Sequence, residues 1–543
     1  SGQMPKLAVS KNAASLEAWR KTLNDEIIRS PFPPIDPPTE PLVTRTMRAL
    51  RENAEQSPDK PAVIDAFNQQ RRLSYRQVHD QALSVASFLH TRGFGVGNRA
   101  AAVQPNCVEY PVIHLGVWCA GGIFVGCSPD LNHNEIAYQL RDSTSSIVFT
   151  SEALLESLMK AVEECSEVKT VICIRSTTSP LPDGVIDFQD VLDCEPLVEL
   201  VPVEMDAPCI VYYSSGTTGK PKGVTHSHRT SHCNTEIWRR HFLDEVYPAL
   251  GVSEVDWHQE HQIISTGCFH VFGFGLLNVC LLTGSPVVLM SRLDEALYIK
   301  LIGQFKPRCL FVSPPIFAYL AKDEAGRAAP LVSVKMIMCS SAPVSQELSD
   351  EFLSHHPNVK YIVQGYGSTE TGGTHHPLLL QEGASASSGV LVAGYEQKII
   401  DLSTGKTCKQ GEWGGICLKG PGIMLGYLNQ PEATKELFDD EGWLHSGDIG
   451  YIDSFGCIFI VDRVKELIKV NYANQTLQVA PAELEGVLLS SSSIRDAAIV
   501  GVPQENGGEL VRAFVVRTDE NLTGDEVERI IADKLAAFKR ITG

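Results

Sequence analysis

The chain has 543 residues, of which 43% are hydrophobic and 20% are charged, a balance typical of a soluble globular protein with more than one domain. Its 46 basic and 65 acidic residues give a formal net charge of −19. This charge argues against nucleic acid as a partner, because a phosphate backbone requires a basic surface. No apolar run reaches the roughly 18 residues of a membrane span, so we expect none.

The fifteen cysteines are scattered, with no C-x-x-C pair, which favours reduced thiols and an intracellular protein over a disulfide framework. We expect a cytoplasmic or peroxisomal location and a monomer or homodimer. One patch contains His226, His228, His232 and Cys233. Its spacing would allow zinc ligands on one helical face, but no second ligand pair accompanies them, so ordinary packing is the favoured interpretation.

The pattern along the chain predicts an α/β fold. Residues 1–41 are rich in proline and predict an extended arm, and from Leu42 onward helical and short apolar patterns alternate, as in sheets covered by helices. The expected helices lie at 73–91, 294–305, 315–322 and 345–354, with a further helix and strand within 109–127. The expected strands lie at 147–150, 171–174, 209–213, 263–266, 286–290, 309–312, 334–338 and 361–363.

The elements become smaller and more mixed near the end of the chain. We interpret this part as a small, mobile α+β domain joined at Asp462–Arg463, so the expected domains are residues 1–461 and 462–543. Its expected strands lie at 457–461, 497–502 and 511–516, and its expected helices at 481–490 and 524–538.

The segment from Val211 to Val224 reads VYYSSGTTGKPKGV and follows an apolar strand. Glycine lets backbone N–H groups converge on an anion, hydroxyl groups add donors, and lysine adds a positive charge. The Walker spacing is absent, because Gly219-Lys220 is followed by Pro221. A flexible linker is the alternative, but the preceding strand and the lysines favour a phosphate loop. Its expected contacts are Ser214, Ser215, Gly216, Thr217, Thr218 and Lys222.

Further segments carry groups that suit phosphate chemistry. QGYGSTET begins at Gln364 and follows an expected strand. A carboxylate such as Glu370 beside phosphates requires a divalent cation between them. The S-G-D segment that ends at Asp448 supplies two acceptor oxygens. Each alone has a simpler explanation, namely a polar loop or a turn.

Three other segments are less distinctive when taken alone. CFHVFGF places His270 in an apolar run, CSSAPV begins at Cys339, and VDRVKELIK ends at Lys469. A lone histidine in such a run is more often part of a packed core, and the charged segment could be a solvated helix face.

In their order along residues 211–485, these segments resemble the adenylate-forming superfamily, in particular the branch of 4-coumarate–CoA ligases and beetle luciferases. The first 200 residues fit that family loosely. The resemblance implies that the protein binds ATP, Mg²⁺, coenzyme A and a small-molecule carboxylic acid, either aromatic or medium-chain. It implies a catalytic role for His270, Thr369 and Lys469, a metal contact for Glu370, and further cofactor contacts for Ser341, Gln364, Gly365, Tyr366, Asp448, Arg463, Lys465 and Gln478.

The resemblance implies two reactions: formation of an acyl-AMP, and transfer of the acyl group to coenzyme A after the small domain swings about Asp462. The alternatives are a luciferase-like or carrier-loading adenylating enzyme, and a pseudo-ligase that only binds nucleotide. Ser340 and Ser341 replace the family's smaller residues and are expected to alter the acid pocket. An insertion within 470–478 replaces a lysine-glycine tip that approaches coenzyme A, and the family's last catalytic lysine would follow Gly543. Thioester formation is therefore less firmly implied than adenylation.

Overall fold

Short apolar runs form the centre of the largest sheet. The computed structural model describes residues 18–214, 220–340, 344, 346–377, 383–472, 475–504 and 508–541. Strands Arg99–Val103 and Ile123–Cys127 are parallel neighbours, and nearly all their side chains are buried. Burial on both faces explains why these strands are apolar throughout rather than alternating. In spatial order the eight strands are Gly426–Tyr427, Lys222–Ser227, Pro208–Ser214, Ile123–Cys127, Arg99–Val103, Ile147–Ser151, Thr170–Ile174 and Val185–Asp187.

Four smaller sheets complete the large part of the molecule. The first has Gln262–Ile264, Val287–Leu289, Pro61–Asp65 and Arg72–Ser74, and the second has Cys309–Val312, Met336–Cys339, Tyr361–Gln364 and Gly383–Ala384. The third has Tyr366–Ser368, Gly372–His376 and Val390–Leu391, and the fourth has Ile28–Arg29, Glu396–Ile400, Gly414–Lys419, Leu444–Ile452 and Ile458–Arg463.

Helices cover these sheets. Most of them bury one apolar face, whereas Tyr110–Cys119 is buried on every side. Tyr75–Thr91 illustrates the local signals, because Ser74 accepts from the N–H of Gln77 and the Gln77 side chain accepts from the N–H of Ser74 in a capping box. A π-helix at His241–Val246 directly continues His228–Arg240. The other α-helices are Leu42–Gln56, Tyr110–Cys119, His133–Ser143, Leu155–Val162, Phe188–Leu192, Tyr247–Ala249, Glu254–Gln259, Val271–Thr283, Glu295–Phe305, Pro314–Lys322, Glu324–Arg327, Gln346–His355 and Pro431–Lys435.

The end of the chain forms a unit with its own small core. Two hairpins, Ile468–Tyr472 with Gln475–Val479 and Ile494–Pro503 with Glu509–Arg517, pack with two helices. The helices are Pro481–Leu489 and Gly524–Lys534. The core residues of this unit include Ile468, Val479, Leu484, Leu488, Ile499 and Ile531.

Most predicted elements are confirmed, and the differences concern their ends. The helix expected from Leu73 begins at Tyr75, because Leu73 belongs to a strand and Ser74 caps the helix. The strand expected at 334–338 is Met336–Cys339, and the helix expected to reach 538 ends at Lys534. Strand Ile458–Arg463 pairs with Leu444–Ile452 and so runs through the expected junction at Asp462–Arg463. The domain boundary itself stays a prediction.

Within the described ranges, every helix is either too short or too polar to cross a bilayer. The compartment and the oligomeric state stay predictions.

Candidate active site

The phosphate loop connects two paired strands. Ser214 ends strand Pro208–Ser214 and lies opposite Lys222, the first residue of strand Lys222–Ser227. The Ser214 hydroxyl is buried and has no hydrogen-bond partner among the residues described by the structure. A buried hydroxyl without a partner costs free energy unless a ligand or water satisfies it. Ser215, Gly216, Thr217 and Thr218 lie outside the described residues.

Glu370 lies beside this loop and is held by a tyrosine. The Tyr427 hydroxyl donates to Glu370 Oε1 at 2.9 Å, and the Tyr427 ring centroid lies 4.7 Å from Lys222 Nζ. The backbone of Tyr427 pairs with Val224, two residues after Lys222. The Glu370 carboxylate and the Lys222 ammonium group therefore contact the same tyrosine, at the C-terminal end of the phosphate loop.

Thr369 is fixed through its backbone rather than its side chain. The buried imidazole of His226 donates from Nε2 to the Thr369 carbonyl at 2.8 Å, and its Nδ1 lies 3.2 Å from Thr230 Oγ1. Burial lowers the pKa of His226, so the ring is neutral at physiological pH. His226 thus braces the loop that carries Thr369 and Glu370. Among the described residues, no group of three or more His, Cys, Asp or Glu side chains is arranged to hold a metal ion.

Asp448 stands at the centre of a second polar cluster. Tyr366 donates its hydroxyl to Asp448 Oδ2 at 2.6 Å, and Arg463 Nε lies 3.2 Å from Asp448 Oδ1. Burial raises the pKa of Asp448, although the Tyr366 hydroxyl and the Arg463 guanidinium oppose that shift. Asp448 and Arg463 are also register partners in neighbouring strands, so the pair is set by the backbone ladder. Each carboxylate oxygen retains a second lone pair for a hydroxyl donor.

The residues expected near adenine differ in the hydrogen bonds that they make within the protein and in the space around them. Gln364 is buried and engaged at both ends, since its Oε1 accepts from the N–H of Val344 and its Nε2 donates to the carbonyls of Val344 and Ser385. Gly365 has little room, because a Cβ there would lie 2.3 Å from Met338 Cε. Gln364 is therefore held in place by hydrogen bonds within the protein. The lack of a side chain at Gly365 lets the backbone lie close to Met338. Ser341 lies outside the described residues.

His270 stands at the amino end of helix Val271–Thr283 and is solvent-exposed. Its ring lies 4.3 Å from that of Phe269, centroid to centroid. The apolar neighbours lower the pKa of His270 by desolvation. A neutral imidazole at this position can donate one hydrogen bond and accept another.

The lysines of the last segment lie outside the polar clusters described above. Lys465 and Lys469 are exposed, and the Lys469 backbone N–H donates to Glu509 Oε2 at 2.8 Å. Lys469 lies opposite Gln478 in the hairpin, whose side chain is outside the description. Asp462 is buried and accepts from the backbone N–H groups of Arg463 and Ala482, at 2.7 and 3.2 Å. Asp462 thus joins the large sheet to helix Pro481–Leu489.

The chemistry of this region fits a nucleotide and a divalent cation. The Ser214 hydroxyl and the Lys222 ammonium are groups that can donate hydrogen bonds to a phosphate, and Asp448 has capacity to accept from sugar hydroxyls. Glu370 uses Oε1 for Tyr427, and its other oxygen has no hydrogen bond among the described residues. Oxygen ligands of this kind are those that Mg²⁺ prefers. The sequence did not single out Tyr427 or the bracing role of His226, because neither contact is local along the chain.

Two family models match the chain. A model for AMP-binding enzymes matches residues 50–428, and a model for the C-terminal domain of AMP-binding enzymes matches residues 483–542. The chain therefore belongs to the AMP-binding enzyme family. The predicted adenylate-forming class and the predicted enzyme type, an AMP-forming acid–thiol ligase, are confirmed.

The similar proteins belong to one branch of that class. The 4-coumarate-CoA ligase 1 of Narcissus pseudonarcissus is 33% identical over 503 residues, which span 90% of this chain and 88% of that protein. The 4-coumarate-CoA ligase 2 of Nicotiana tabacum is 34% identical over 506 residues, with the same shares of both chains, 90% and 88%. These relatives support the acyl- and aryl-CoA ligase branch.

Solved structures show the same fold. The anthranilate CoA ligase AuaEII in complex with anthranoyl-AMP has a TM-score of 0.81 at 22% identity, covering 93% of this chain and 94% of its own. A luciferase-like enzyme from the nonluminescent mealworm Zophobas morio has a TM-score of 0.70 at 20% identity, covering 81% and 99%. At these identities the likeness shows the fold, and it confirms the predicted large N-terminal and small C-terminal parts.

Proposed function

We propose that this protein activates a small-molecule carboxylic acid with ATP as an acyl-AMP and then transfers the acyl group to coenzyme A. The observation that carries the proposal is that residues 366–370 connect two polar clusters, since Tyr366 belongs to one and Glu370 to the other. One cluster contains Ser214, Lys222 and Glu370, and the other contains Tyr366, Asp448 and Arg463. The first suits the phosphates of ATP, and the second suits its ribose and adenine.

In the first reaction the acid's carboxylate attacks the α-phosphorus of ATP and pyrophosphate leaves. The protein contributes positioning and charge neutralisation rather than a covalent nucleophile. Lys222 and the phosphate loop would neutralise the phosphates, Thr369 would contact the α-phosphate, and His270 would donate to the acid's carboxylate. When bound through Glu370, Mg²⁺ would offset the negative charge of the phosphates. Asp448 and Arg463 would hold the ribose, and Gln364, Gly365 and Ser341 would border adenine.

In the second reaction the thiol of coenzyme A attacks the acyl carbonyl and AMP leaves. Lys465 would contact the adenylate, and Lys469 and Gln478 would act after the small domain, residues 462–543, has turned about Asp462. Both lysines are exposed, and neither forms an ion pair with another described residue. This supports a role that they reach by domain movement.

The test measures acid-dependent pyrophosphate release with Mg²⁺ and ATP for a panel of aromatic and medium-chain acids. AMP release is then followed with and without coenzyme A. We expect pyrophosphate release with at least one acid and faster AMP release with coenzyme A. No release with any acid would contradict the proposal and favour a nucleotide-binding pseudo-ligase, and release without any effect of coenzyme A would favour a luciferase-like or carrier-loading enzyme.

Two lysines of the phosphate loop supply a matched pair of variants. Lys222 contacts Tyr427 beside Glu370, whereas Lys220 lies 5.2 Å from the ring of Tyr138. We expect Lys222→Ala to lower pyrophosphate release at least tenfold, because loss of a hydrogen bond to a charged group costs about 1.5–3 kcal/mol. Lys220→Ala should have less than a threefold effect. Equal losses in the two variants would remove the assignment of Lys222.

A further inference from the structure

One helix contacts both ends of the phosphate loop. Helix His133–Ser143 follows strand Ile123–Cys127, which is the parallel neighbour of the strand that leads into the loop. The buried residues Ile136 and Leu140 of this helix belong to the same core cluster as Val211 of that strand. The helix is therefore fixed against the sheet by its apolar face, and its polar side chains are placed to contact the loop.

Tyr138 contacts the C-terminal end of the loop. Its hydroxyl donates to the Pro221 carbonyl at 2.9 Å, and Lys220 Nζ lies 5.2 Å from its ring centroid. Burial raises the pKa of Tyr138, and Asp142 adds to the effect, so the hydroxyl stays protonated and able to donate. The Pro221 carbonyl belongs to the planar peptide unit that ends at the nitrogen of Lys222. Tyr138 thus constrains the backbone from which the Lys222 side chain starts.

Tyr213 contacts the same helix from the N-terminal end of the loop. Its hydroxyl donates to Asp142 Oδ2 at 2.7 Å, and the Gln139 carbonyl lies 3.2 Å from the same oxygen. A hydrogen bond to a carboxylate is stronger than one between neutral groups. Tyr213 directly precedes Ser214, whose hydroxyl is a proposed phosphate contact, and it is the register partner of Gly223. The two ends of the loop are therefore tied to residues four positions apart on one helix.

A third contact reaches the segment that carries Tyr427. Asn429 Nδ2 donates at 2.7 Å to the backbone carbonyl of Asp142, in the last turn of the helix, where carbonyls have no partner within a helix. Asn429 has a φ of 55°, in the left-handed region that asparagine adopts more readily than most residues. The helix thus also fixes the backbone close to Tyr427, the residue that holds Glu370.

We propose that Tyr138 and Asp142 are positioning residues, which hold the two ends of the phosphate loop in the arrangement that binds the phosphates of ATP. The proposal rests on the function proposed above and concerns the first of its two reactions. Glycine gives a loop more conformational freedom than other residues do, and ligand binding must remove that freedom. Fixing the ends in advance lowers this cost, so ATP binds more tightly although neither side chain contacts it.

The helix also carries a contact that does not involve the loop and provides a matched control. Arg141 Nη1 lies 3.0 Å from Glu164 Oε2, and both side chains are about half exposed. Exposed ion pairs of this kind contribute little to stability. Arg141→Ala therefore changes the same turn of the helix as Asp142 and leaves the contacts with Tyr213, Pro221 and Asn429 in place.

The first experiment measures the response to ATP. Binding of ATP with Mg²⁺ is followed by calorimetry without acid, and KM values come from pyrophosphate release with an acid that the panel identifies. Tyr138→Phe retains the ring beside Lys220 and loses only the hydroxyl. We expect Kd and KM for ATP to rise about three- to tenfold, and KM for the acid to change less than about twofold. Arg141→Ala should change none of these values by more than about twofold. Unchanged values for ATP in Tyr138→Phe would overturn the proposal.

The second reaction distinguishes positioning of the loop from damage to the fold. Transfer of the acyl group from supplied acyl-AMP to coenzyme A involves no pyrophosphate, so Tyr138→Phe should alter its rate by less than about twofold. A damaged fold would lower the rates of both reactions together. Equal losses in the two reactions would therefore overturn the proposed role of Tyr138.

Two further comparisons test whether the helix acts through the loop. Asp142→Ala should raise KM for ATP about three- to tenfold, and Asp142→Asn, which retains an acceptor for Tyr213, should recover most of the loss. In a Lys222→Ala background, Tyr138→Phe should add less than about twofold, because residues that act through one another are not additive. Equal losses in the two Asp142 variants, or full additivity with Lys222→Ala, would contradict the proposal.

The outcomes separate this inference from the proposed function. Wild-type protein that binds no ATP and releases no pyrophosphate with any acid would overturn both. Wild-type activity together with normal ATP values in Tyr138→Phe would overturn only the role of the helix and leave the ligase function intact.

Discussion

At the scale of single residues, Tyr427 links the two charged groups expected beside the phosphates. Its hydroxyl holds Glu370, its ring faces Lys222, and its backbone extends the sheet at Val224. A cation–π contact contributes about 0.5–1 kcal/mol at an exposed site. Under the proposed role of Glu370, we expect the hydroxyl to have the larger effect on function, because it orients the carboxylate that would bind the metal ion.

Tyr427→Phe should therefore weaken the response to Mg²⁺. The ring and its contact with Lys222 remain, whereas the Glu370 carboxylate loses the one hydrogen bond that it accepts from the described part of the chain. We expect the Mg²⁺ concentration for half-maximal pyrophosphate release to rise about three- to tenfold, with little change in KM for the acid. Calorimetry of Mg²⁺ and ATP binding should show the same shift without turnover.

The matched control for Tyr427→Phe is Tyr451→Phe. The Tyr451 ring stacks between those of Trp413 and Phe459, away from Glu370. This variant should leave the Mg²⁺ dependence unchanged. An unchanged dependence in Tyr427→Phe as well would contradict the proposed link to Glu370.

Asp448 provides a prediction about pH. Burial raises the pKa of this carboxyl in the folded protein, so ionisation costs folding free energy once the pH exceeds the ordinary value of 3.8. Asp448→Asn removes that cost, because an amide stays neutral. We expect a thermal midpoint at least equal to wild type at pH 7, a difference that shrinks as the pH falls toward 4, and a loss of pyrophosphate release of tenfold or more. The argument would be refuted if the thermal midpoint of Asp448→Asn, measured as the difference from wild type, were lower at pH 7 than at pH 4.5.

The sequence allowed several site residues to be predicted because their chemistry is local. The order of loop, Glu370 and Asp448 along the chain was enough to indicate an ATP site, and the structure brings Tyr366, Asp448 and Arg463 together. The partners of these residues were not predictable, because Tyr427 meets Glu370 across 57 positions and His226 meets Thr369 across 143. The sequence pattern instead groups His226 with its neighbours His228, His232 and Cys233, for which it favours ordinary packing over zinc binding.

At the scale of elements, the arm before Leu42 is tied to the sheet that leads into the small domain. Strand Ile28–Arg29 pairs with Glu396–Ile400, and Trp19 packs with Ile452 and Ile458 in one core cluster. The Trp19 indole N–H donates to the Arg29 carbonyl at 2.6 Å. The arm thus covers the sheet whose last strand, Ile458–Arg463, ends at the expected junction.

Trp19→Ala should destabilise this region by about 3 kcal/mol, because it removes a large buried side chain. The urea midpoint should fall, and limited proteolysis should cut the arm first. Trp413→Ala is the control, since Trp413 is 52% exposed and its loss should change stability by less than about 0.5 kcal/mol. Equal effects of both variants would show that the arm contributes nothing specific.

The pattern of apolar residues indicated which segments are helices and which are strands. It did not indicate where each begins and ends, because those positions depend on capping and tertiary contacts. The helix beginning at Tyr75 starts where Ser74 and Gln77 form a capping box, a signal that the apolar residue Leu73 had obscured. The π-helix His241–Val246 was not predictable, because its residues continue the pattern of an ordinary helix and only tertiary contacts such as His241 with Pro377 distinguish it. Sequence reasoning alone therefore missed this turn.

At the scale of the whole molecule, most cysteines lie in the protein interior rather than at the surface. All fifteen are free, twelve are buried, and only Cys107, Cys194 and Cys408 are partly exposed. Nine of the buried thiols lie in sheets and helices, and Cys165, Cys268 and Cys457 lie in loops. Burial raises the pKa of groups such as Cys119, Cys268 and Cys280. Because the thiolate is the reactive form, a raised pKa and lack of access both suppress reaction.

Thiol titration should therefore report the integrity of the fold. In native protein without reductant we expect at most three thiols to react with an aromatic disulfide reagent at pH 8, and fifteen to react after unfolding in guanidinium. Cys408→Ser should remove one thiol from the total without changing pyrophosphate release, since Cys408 lies on the surface away from the site. More than three rapidly reacting thiols in the native protein would contradict the packing of the cores. Fewer than fifteen after unfolding would reveal a disulfide that the structure does not contain.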